Sequence, residues 1–160
     1  MTRRTLLTGA SLLGVLAGLR SFLGAAPAEA GPFPVALSEA EWRAKLSPGA
    51  FKVLRKHGTE RPYSSPLDAE KRAGRYLCAG CDQPLFASAT KFESGTGWPS
   101  FYEALPDAVG ATTDSTLGMT RTEIHCSRCG GHLGHVFDDG PRPTGKRYCM
   151  NGVALRFAPA

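Results

Sequence analysis

Five cysteines are the residues of this sequence whose spacing points most directly to chemistry. Four of them stand in two C-x-x-C pairs, Cys78 with Cys81 and Cys126 with Cys129. Because two thiolates separated by two residues can bind one ion from a single tight turn, the pairs predict a tetrahedral site for one structural zinc ion. Two disulfides, or one redox-active C-x-x-C, are the alternatives.

Cys149 is the cysteine that these pairs leave over, and it follows Arg147-Tyr148. A fixed cation beside a thiol favours the thiolate, which is the nucleophilic form. The sequence therefore predicts a lowered pKa and a reactive sulfur at Cys149. The rest of the chain is expected to form a rigid platform for this sulfur.

Two histidines, His132 and His135, stand three residues apart in a glycine-rich stretch. They are expected to exchange protons near pH 7, with metal binding as the alternative. A nearby carboxylate such as Asp139 would orient one of them and favour its protonated form.

A tryptophan, Trp98, lies between Gly97 and Pro99 in a second motif. This setting would present the indole face rigidly to an apolar group such as a methyl, unless the segment is only a packing loop.

The first thirty residues are predicted to be an export signal of the twin-arginine type, and a retained membrane anchor is the alternative. Arg3 and Arg4 precede a short apolar run, and Ala28-Glu29-Ala30 has the pattern of a cleavage site. Residues 31–37 read as a linker and 38–160 as one domain in the periplasm. A twin-arginine route carries folded proteins, so zinc could be loaded before export.

The net charge of the chain is +5, but no cluster of Lys and Arg residues follows the signal. No nucleic-acid partner is therefore expected.

Short elements are expected throughout the domain, because Gly and Pro are frequent. Ser38 and Glu41 form a capping box that predicts a helix through Leu46, and Ser47-Pro48 begins a second helix that stops at Gly58. Strands are predicted at residues 75–77, 84–86, 108–113, 119–126, 132–137 and 153–157. Residues 91–102 are predicted to be irregular, although they contain the aromatic residues Phe92, Trp98 and Phe101.

The order of several motifs resembles that of the B class of peptide methionine sulfoxide reductases, from about residue 38 to residue 157. The motifs are the two C-x-x-C pairs, Gly97-Trp98-Pro99-Ser100-Phe101, Gly131-His132-Leu133-Gly134-His135-Val136-Phe137 and Arg147-Tyr148-Cys149-Met150-Asn151. The resemblance implies a β-rich domain of two antiparallel sheets with small N-terminal helices. It also implies a structural zinc ion and selectivity for the R-sulfoxide of methionine in oxidised proteins.

The resemblance also implies roles for individual residues. The catalytic group would comprise Cys149, His135, His132, Asn151, Arg147 and Asp139. Cys149 would attack the sulfoxide sulfur and become a sulfenic acid, and His135 would protonate the departing oxygen. His132 and Asn151 would shape the polar side, whereas Arg147 and Asp139 would tune the sulfur and the histidine. Trp98 would receive the substrate methyl, and Phe101 would line the same site.

Thr96 is a departure from the pattern, because many members of the class carry a resolving cysteine at this position. With the other four cysteines on zinc, an outside thiol must reduce the sulfenic acid, either a thioredoxin-like protein or a small thiol. A monomer is expected.

Two other functions compete with the reductase. They are a non-enzymatic zinc module that binds a partner and a cysteine hydrolase with a Cys-His dyad. The sequence signals no oxyanion hole for a hydrolase.

Overall fold

The computed structural model of the chain describes residues 33–115 and 118–160. The predicted export signal and the first two residues of the linker lie outside the described residues and stay predictions. Within the described ranges, none of the helices has both the length and the apolar character that crossing a membrane requires.

Two short helices begin the described chain, as their caps predict. In α1 (Glu39–Lys45), Glu41 N donates to the Ser38 hydroxyl and the Glu41 carboxylate accepts from Ser38 N at 2.8 Å, which completes the capping box. In α2 (Pro48–Lys56), the Ser47 hydroxyl accepts from Ala50 N at 3.2 Å. The left-handed residue that ends α2 is His57, with φ of 52°, rather than Gly58.

In the described part of the chain nine strands form two antiparallel sheets, which confirms the predicted β-rich fold. They are β1 (Gly74–Cys78), β2 (Pro84–Ala87), β3 (Lys91–Phe92), β4 (Ser100–Phe101), β5 (Val109–Asp114), β6 (Arg121–Cys126), β7 (His132–Phe137), β8 (Arg147–Met150) and β9 (Leu155–Pro159). The small sheet has the order β2-β1-β9, and the large sheet has the order β3-β4-β8-β7-β6-β5. Single 3₁₀ turns lie at Ser88–Thr90 and Gly152–Ala154.

The prediction that residues 91–102 are irregular is confirmed for residues 93–99 but is wrong at both ends of the segment, which form β3 and β4. Their two residues each are too few for an alternating pattern in the sequence, and they exist through pairing with neighbours. The sequence also gave no indication of β8, the strand that carries Cys149. In the large sheet β8 lies between β4 and β7, so the sulfur is placed well inside a sheet rather than on a loop.

Aromatic side chains join the two sheets. Phe101 on β4 stacks on Phe86 of β2, with ring centroids 4.3 Å apart, and meets the edge of Tyr76 on β1 at 4.8 Å. All three side chains are fully buried. The prediction that Phe101 lines the substrate site is therefore wrong, since a side chain enclosed between two sheets has no surface to offer a substrate.

Candidate active site

The four paired cysteines form a buried cluster, in which the sulfur atoms all lie within 4.8 Å of one another. The Sγ atoms of Cys78 and Cys129 are 3.7 Å apart, and those of Cys81 and Cys126 are 3.5 Å apart. A disulfide would need about 2.05 Å, whereas tetrahedral zinc with Zn–S bonds of about 2.3 Å places its sulfurs about 3.8 Å apart. The cluster thus fits a metal ion and not a pair of disulfides.

The two C-x-x-C turns have the same backbone hydrogen bonds. In the first turn Cys78 N donates to Gln83 O and Asp82 N donates back to Cys78 O. In the second turn Cys126 N donates to Gly131 O, and Gly130 N donates back to Cys126 O. Asp82 and Gly130 both have positive φ, 59° and 65°. Each turn therefore presents its two sulfurs in the same way, as expected for two halves of one metal site.

Cys149 and His135 lie directly opposite each other on neighbouring antiparallel strands. The register pairs Ser100 of β4 with Cys149 of β8, Cys149 with His135 of β7, and His135 with Glu123 of β6. Opposed residues project from the same face of a sheet, with Cβ atoms about 4.5–5.5 Å apart. Hydroxyl, sulfur, imidazole and carboxylate groups therefore follow one another in a single row across the large sheet.

Gly134 allows the backbone of β8 to run close beside β7 at this row. A Cβ atom at Gly134 would collide with the carbonyl oxygen of Cys149. The glycine before His135 in the motif is therefore required for a steric reason, because any side chain there would push the backbone of Cys149 away from β7.

The half-buried sulfur of Cys149 is surrounded by a hydroxyl group and a cation. The Thr96 hydroxyl lies 3.9 Å from the sulfur. Burial raises the pKa of the Cys149 thiol above its ordinary value, although hydrogen bonds from Thr96 and Ser100 and the charge of Arg147 lower it. The predicted lowering of the pKa is therefore wrong for the free protein, because desolvation outweighs the cation that the sequence shows.

Asp139 orients Arg147 and not a histidine. Its carboxylate accepts two hydrogen bonds from the Arg147 guanidinium, both of 2.8 Å, and the guanidinium also lies over the Phe137 ring at 4.4 Å. The expectation that Asp139 orients a histidine is therefore wrong. Its partner is the cation beside Cys149, and it can affect the sulfur only by holding that cation in place.

The carboxylates that contact the two histidines are Glu123 and Asp114. Nδ1 of His132 donates to Glu123 at 2.7 Å, and Nε2 of His135 donates to Asp114 at 2.8 Å. Burial lowers the pKa of His132 more than Glu123 raises it. A cavity of about 520 Å³, lined by all four of these residues, opens beside the histidines. Sequence analysis missed both carboxylates. The alternation of side chains along β6 places Glu123 on the same face as Arg121, and this was the available signal for Glu123.

Trp98 and Asn151 are fixed by one residue that sequence analysis also missed, Glu60. The Trp98 indole N–H donates to Glu60 O at 3.3 Å, and Glu60 N donates to the Asn151 side-chain oxygen at 2.9 Å. The Asn151 amide donates to Leu133 O at 3.0 Å. Asn151 is buried, and both the oxygen and the nitrogen of its side-chain amide are hydrogen-bonded. It therefore links the end of β8 to β7 and, through Glu60, to the loop that carries Trp98. The Trp98 ring itself remains partly exposed.

The fold and the site define a β-rich protein with a candidate thiol site at Cys149 and a separate cluster of four cysteines that could hold a metal ion. A model of the SelR domain matches residues 46–159. The chain is 56% identical over 123 residues to the peptide methionine sulfoxide reductase MsrB of Agrobacterium fabrum, covering 76% of this chain and 91% of that protein. It is 58% identical over 121 residues to the MsrB of Methanosarcina barkeri, covering 75% and 85%. The chain belongs to the SelR family and is an oxidoreductase of the MsrB type.

Proposed function

We propose that this enzyme reduces the R-sulfoxide of methionine in oxidised proteins to methionine, with Cys149 as the nucleophile. The observation that carries the proposal is the pairing of Cys149 with His135 in the register of the large sheet. A sulfoxide oxygen leaves only once it is protonated, so a sulfur nucleophile and an acid must reach the same group together. The relatives' names, peptide methionine sulfoxide reductase MsrB, support this substrate.

The chemical step transfers one oxygen atom from substrate to enzyme. The Cys149 thiolate attacks the sulfoxide sulfur and forms an S–S bond, while His135 protonates the sulfoxide oxygen. The S–O bond and the new S–S bond then break as the hydroxyl group passes to the Cys149 sulfur. The products are methionine and a Cys149 sulfenic acid, so the substrate gains the two electrons that Cys149 loses. The charge of Arg147 lowers the pKa of the Cys149 thiol against the effect of burial, so this residue would stabilise the attacking thiolate.

The indole of Trp98 is proposed to receive the substrate methyl. The loop that carries it runs beside β8, because Met150 N donates to Pro99 O at 3.0 Å. The bond from the indole N–H to Glu60 O fixes the ring. An apolar ring on one side of the sulfur and polar histidines on the other would sort the methyl from the oxygen, which is the basis of selectivity for one diastereomer.

The cysteine cluster is proposed to hold one structural zinc ion. All four thiolates would be ligands, which leaves no open position for catalysis. The two turns belong to different sheets, since Cys78 ends β1 and Cys126 ends β6. The ion would thus fasten the small sheet to the large one.

An external thiol is proposed to regenerate Cys149. The four cysteines of the cluster would be bound to the metal ion. Thr96 lies 3.9 Å from the Cys149 sulfur at the position of the resolving cysteine, but its hydroxyl group cannot form a disulfide. Two thiols, or one dithiol of a thioredoxin-like protein, would reduce the sulfenic acid to a thiol and release water and a disulfide. We further propose that the enzyme acts as a monomer.

Replacing Thr96 by Cys is expected to create a resolving cysteine. The new sulfur would take the place of the Thr96 hydroxyl, which lies 3.9 Å from the Cys149 sulfur. A small side-chain rotation would then allow an S–S bond of about 2.05 Å. After one turnover without reductant, peptide mapping should show a disulfide between residues 96 and 149. The control Thr96→Ser keeps the hydroxyl and should leave a free sulfenic acid. A sulfenic acid that persists in Thr96→Cys would contradict the assignment of this position.

The proposed reaction is tested by an assay with the separated R and S sulfoxides of a methionine-containing peptide. We expect at least a hundredfold preference in kcat/KM for the R form, which is about 3 kcal/mol in the transition state. Each mole of sulfoxide reduced should oxidise two moles of thiol. Equal rates with both diastereomers, or turnover that consumes no thiol, would refute the proposal.

A further inference from the structure

A second group of metal-binding side chains lies outside the cysteine cluster. His57, Glu123 and His132 each offer a ligand atom, and these atoms lie within 4.8 Å of one another. The Nδ1 atoms of His57 and His132 are 3.1 and 2.7 Å from the same carboxylate oxygen, Oε1 of Glu123. Three elements thus meet at one oxygen atom, namely the end of α2, β6 and β7.

The backbone brings His57 to this position for a specific reason. His57 ends α2 in the left-handed conformation, with φ of 52°, and its ring lies 5.2 Å from that of His132. Its side chain is 65% exposed, whereas those of Glu123 and His132 are 13% and 3% exposed. Two ligands are therefore fixed in the protein wall, and the third approaches from solvent.

Two imidazoles and one carboxylate form a donor set that suits divalent zinc and its neighbours in the first transition row. Tetrahedral zinc with bonds of about 2.0–2.2 Å separates its ligand atoms by about 3.4 Å. The spacings of 3.1 and 2.7 Å would therefore have to open by about 0.3 and about 0.7 Å, less than an ångström each. The cavity of about 520 Å³ is lined by all three residues, which leaves room for a water ligand.

The second nitrogen of the His132 ring leaves Nδ1 free to act as a metal ligand. Its Nε2 is buried and has no hydrogen-bond partner among the residues that the structure describes. The ring can therefore carry its single proton on Nε2 and turn the Nδ1 lone pair toward Glu123 without losing any other bond. In that tautomer the Nδ1 lone pair and the Glu123 carboxylate would both be available to a cation, in place of the present hydrogen bond of 2.7 Å.

We propose that a divalent transition-metal cation of the zinc type binds at His57, Glu123 and His132 and reversibly inhibits the enzyme. His135 lines the same cavity, and its ring lies 5.5 Å from that of His132, so a bound cation with its water ligand would occupy space beside the proposed acid. The inhibition rests on the proposed function, whereas the binding does not. The ion would be separate from the one in the cysteine cluster.

Calorimetric titration with zinc tests the binding. The protein is first saturated at the cysteine cluster and carries Cys149→Ser, so that no reactive thiol competes for metal. One further ion is expected, and His57→Asn should weaken its binding at least tenfold. Asparagine suits the position because it tolerates the left-handed conformation. The matched control His125→Gln removes a histidine outside the group and should bind zinc like the parent. No further ion, or equal binding by His57→Asn, would overturn the proposal.

Single-turnover kinetics test the inhibition. The reaction is run without added thiol, because thiols bind zinc, and the methionine formed by the protein with Cys149 intact is measured. His57→Asn should match the wild-type rate without zinc and resist inhibition by at least tenfold more zinc. Zinc that binds at this group but leaves the wild-type rate unchanged would overturn the inhibitory role. An enzyme that is inactive without zinc would instead contradict the proposed function and leave the calorimetric result standing.

Discussion

Cys126→Ser is expected to remove the metal and most of the stability of the protein. Structural zinc contributes about 10 kcal/mol or more in small domains, which is comparable to the whole free energy of unfolding of a typical domain. Cys126 is completely buried at the end of β6, so a serine there would lose a ligand and leave a hydroxyl group without its metal. Elemental analysis should find less than a tenth of an equivalent of zinc, and thermal unfolding should lose its cooperative transition.

Cys149→Ser is the matched control for this result, because it makes the same exchange outside the cluster. The sulfur of Cys149 is only partly buried, and it lies among Thr96, Ser100 and Arg147, which also accommodate a hydroxyl group. This variant should keep one equivalent of zinc and a Tm within a few degrees of wild type. If Cys126→Ser kept both its zinc and its cooperative transition, the proposed structural role of the metal would be wrong.

Cys149→Ser is also expected to reduce kcat/KM for the R-sulfoxide by at least a thousandfold, about 4 kcal/mol in the transition state. A serine hydroxyl is a far weaker nucleophile than a thiolate and cannot hold the transferred oxygen as a sulfenic acid. The measurement is methionine formation per enzyme in a single turnover, where wild type should give up to one equivalent.

This loss also separates the reductase from the other functions that the sequence left open. A zinc module that binds a partner has no use for Cys149, so its function would survive the exchange. A cysteine hydrolase would lose activity as well, but its reaction consumes no thiol. A Cys149→Ser enzyme that reduces sulfoxide within tenfold of the wild-type rate would show that another group is the nucleophile.

The elements that local chemistry specifies could be predicted from the sequence. The capping box at Ser38 and Glu41 and the proline at the start of α2 determine where the helices begin, whatever the rest of the chain does. The C-x-x-C turns are equally local, and β7 has the bounds that were predicted. In each case the residues that form the feature are neighbours in the chain, so their spacing is visible in the sequence.

The features that depend on strand register could not be predicted. The two-residue strands β3 and β4 form only by pairing, and β8 shows no alternating pattern. Glu123 and Asp114 reach His132 and His135 because β5, β6 and β7 are adjacent, which the spacing of these residues does not show. Asp139 is closer in sequence to the histidines, yet its two hydrogen bonds go to Arg147.

Burial was the second quantity that the sequence did not supply. The arginine near Cys149 correctly indicated a cation beside the sulfur, but desolvation has the larger effect on the pKa of the thiol. Phe101 belongs to a motif that contains Trp98 and resembled a site residue for that reason. Its ring is enclosed between Phe86 and Tyr76, whereas the Trp98 ring is partly exposed.

The most direct test concerns the oxidation state of each cysteine after one turnover. Wild-type, zinc-loaded protein is mixed with one equivalent of the R-sulfoxide without reductant, trapped with a sulfenic-acid reagent and analysed by mass spectrometry. We expect one oxygen atom on Cys149, trapped as a single adduct, with all the zinc retained by the cysteine cluster. A disulfide between Cys149 and any of Cys78, Cys81, Cys126 or Cys129, accompanied by release of zinc, would contradict a reaction cycle carried by one sulfur.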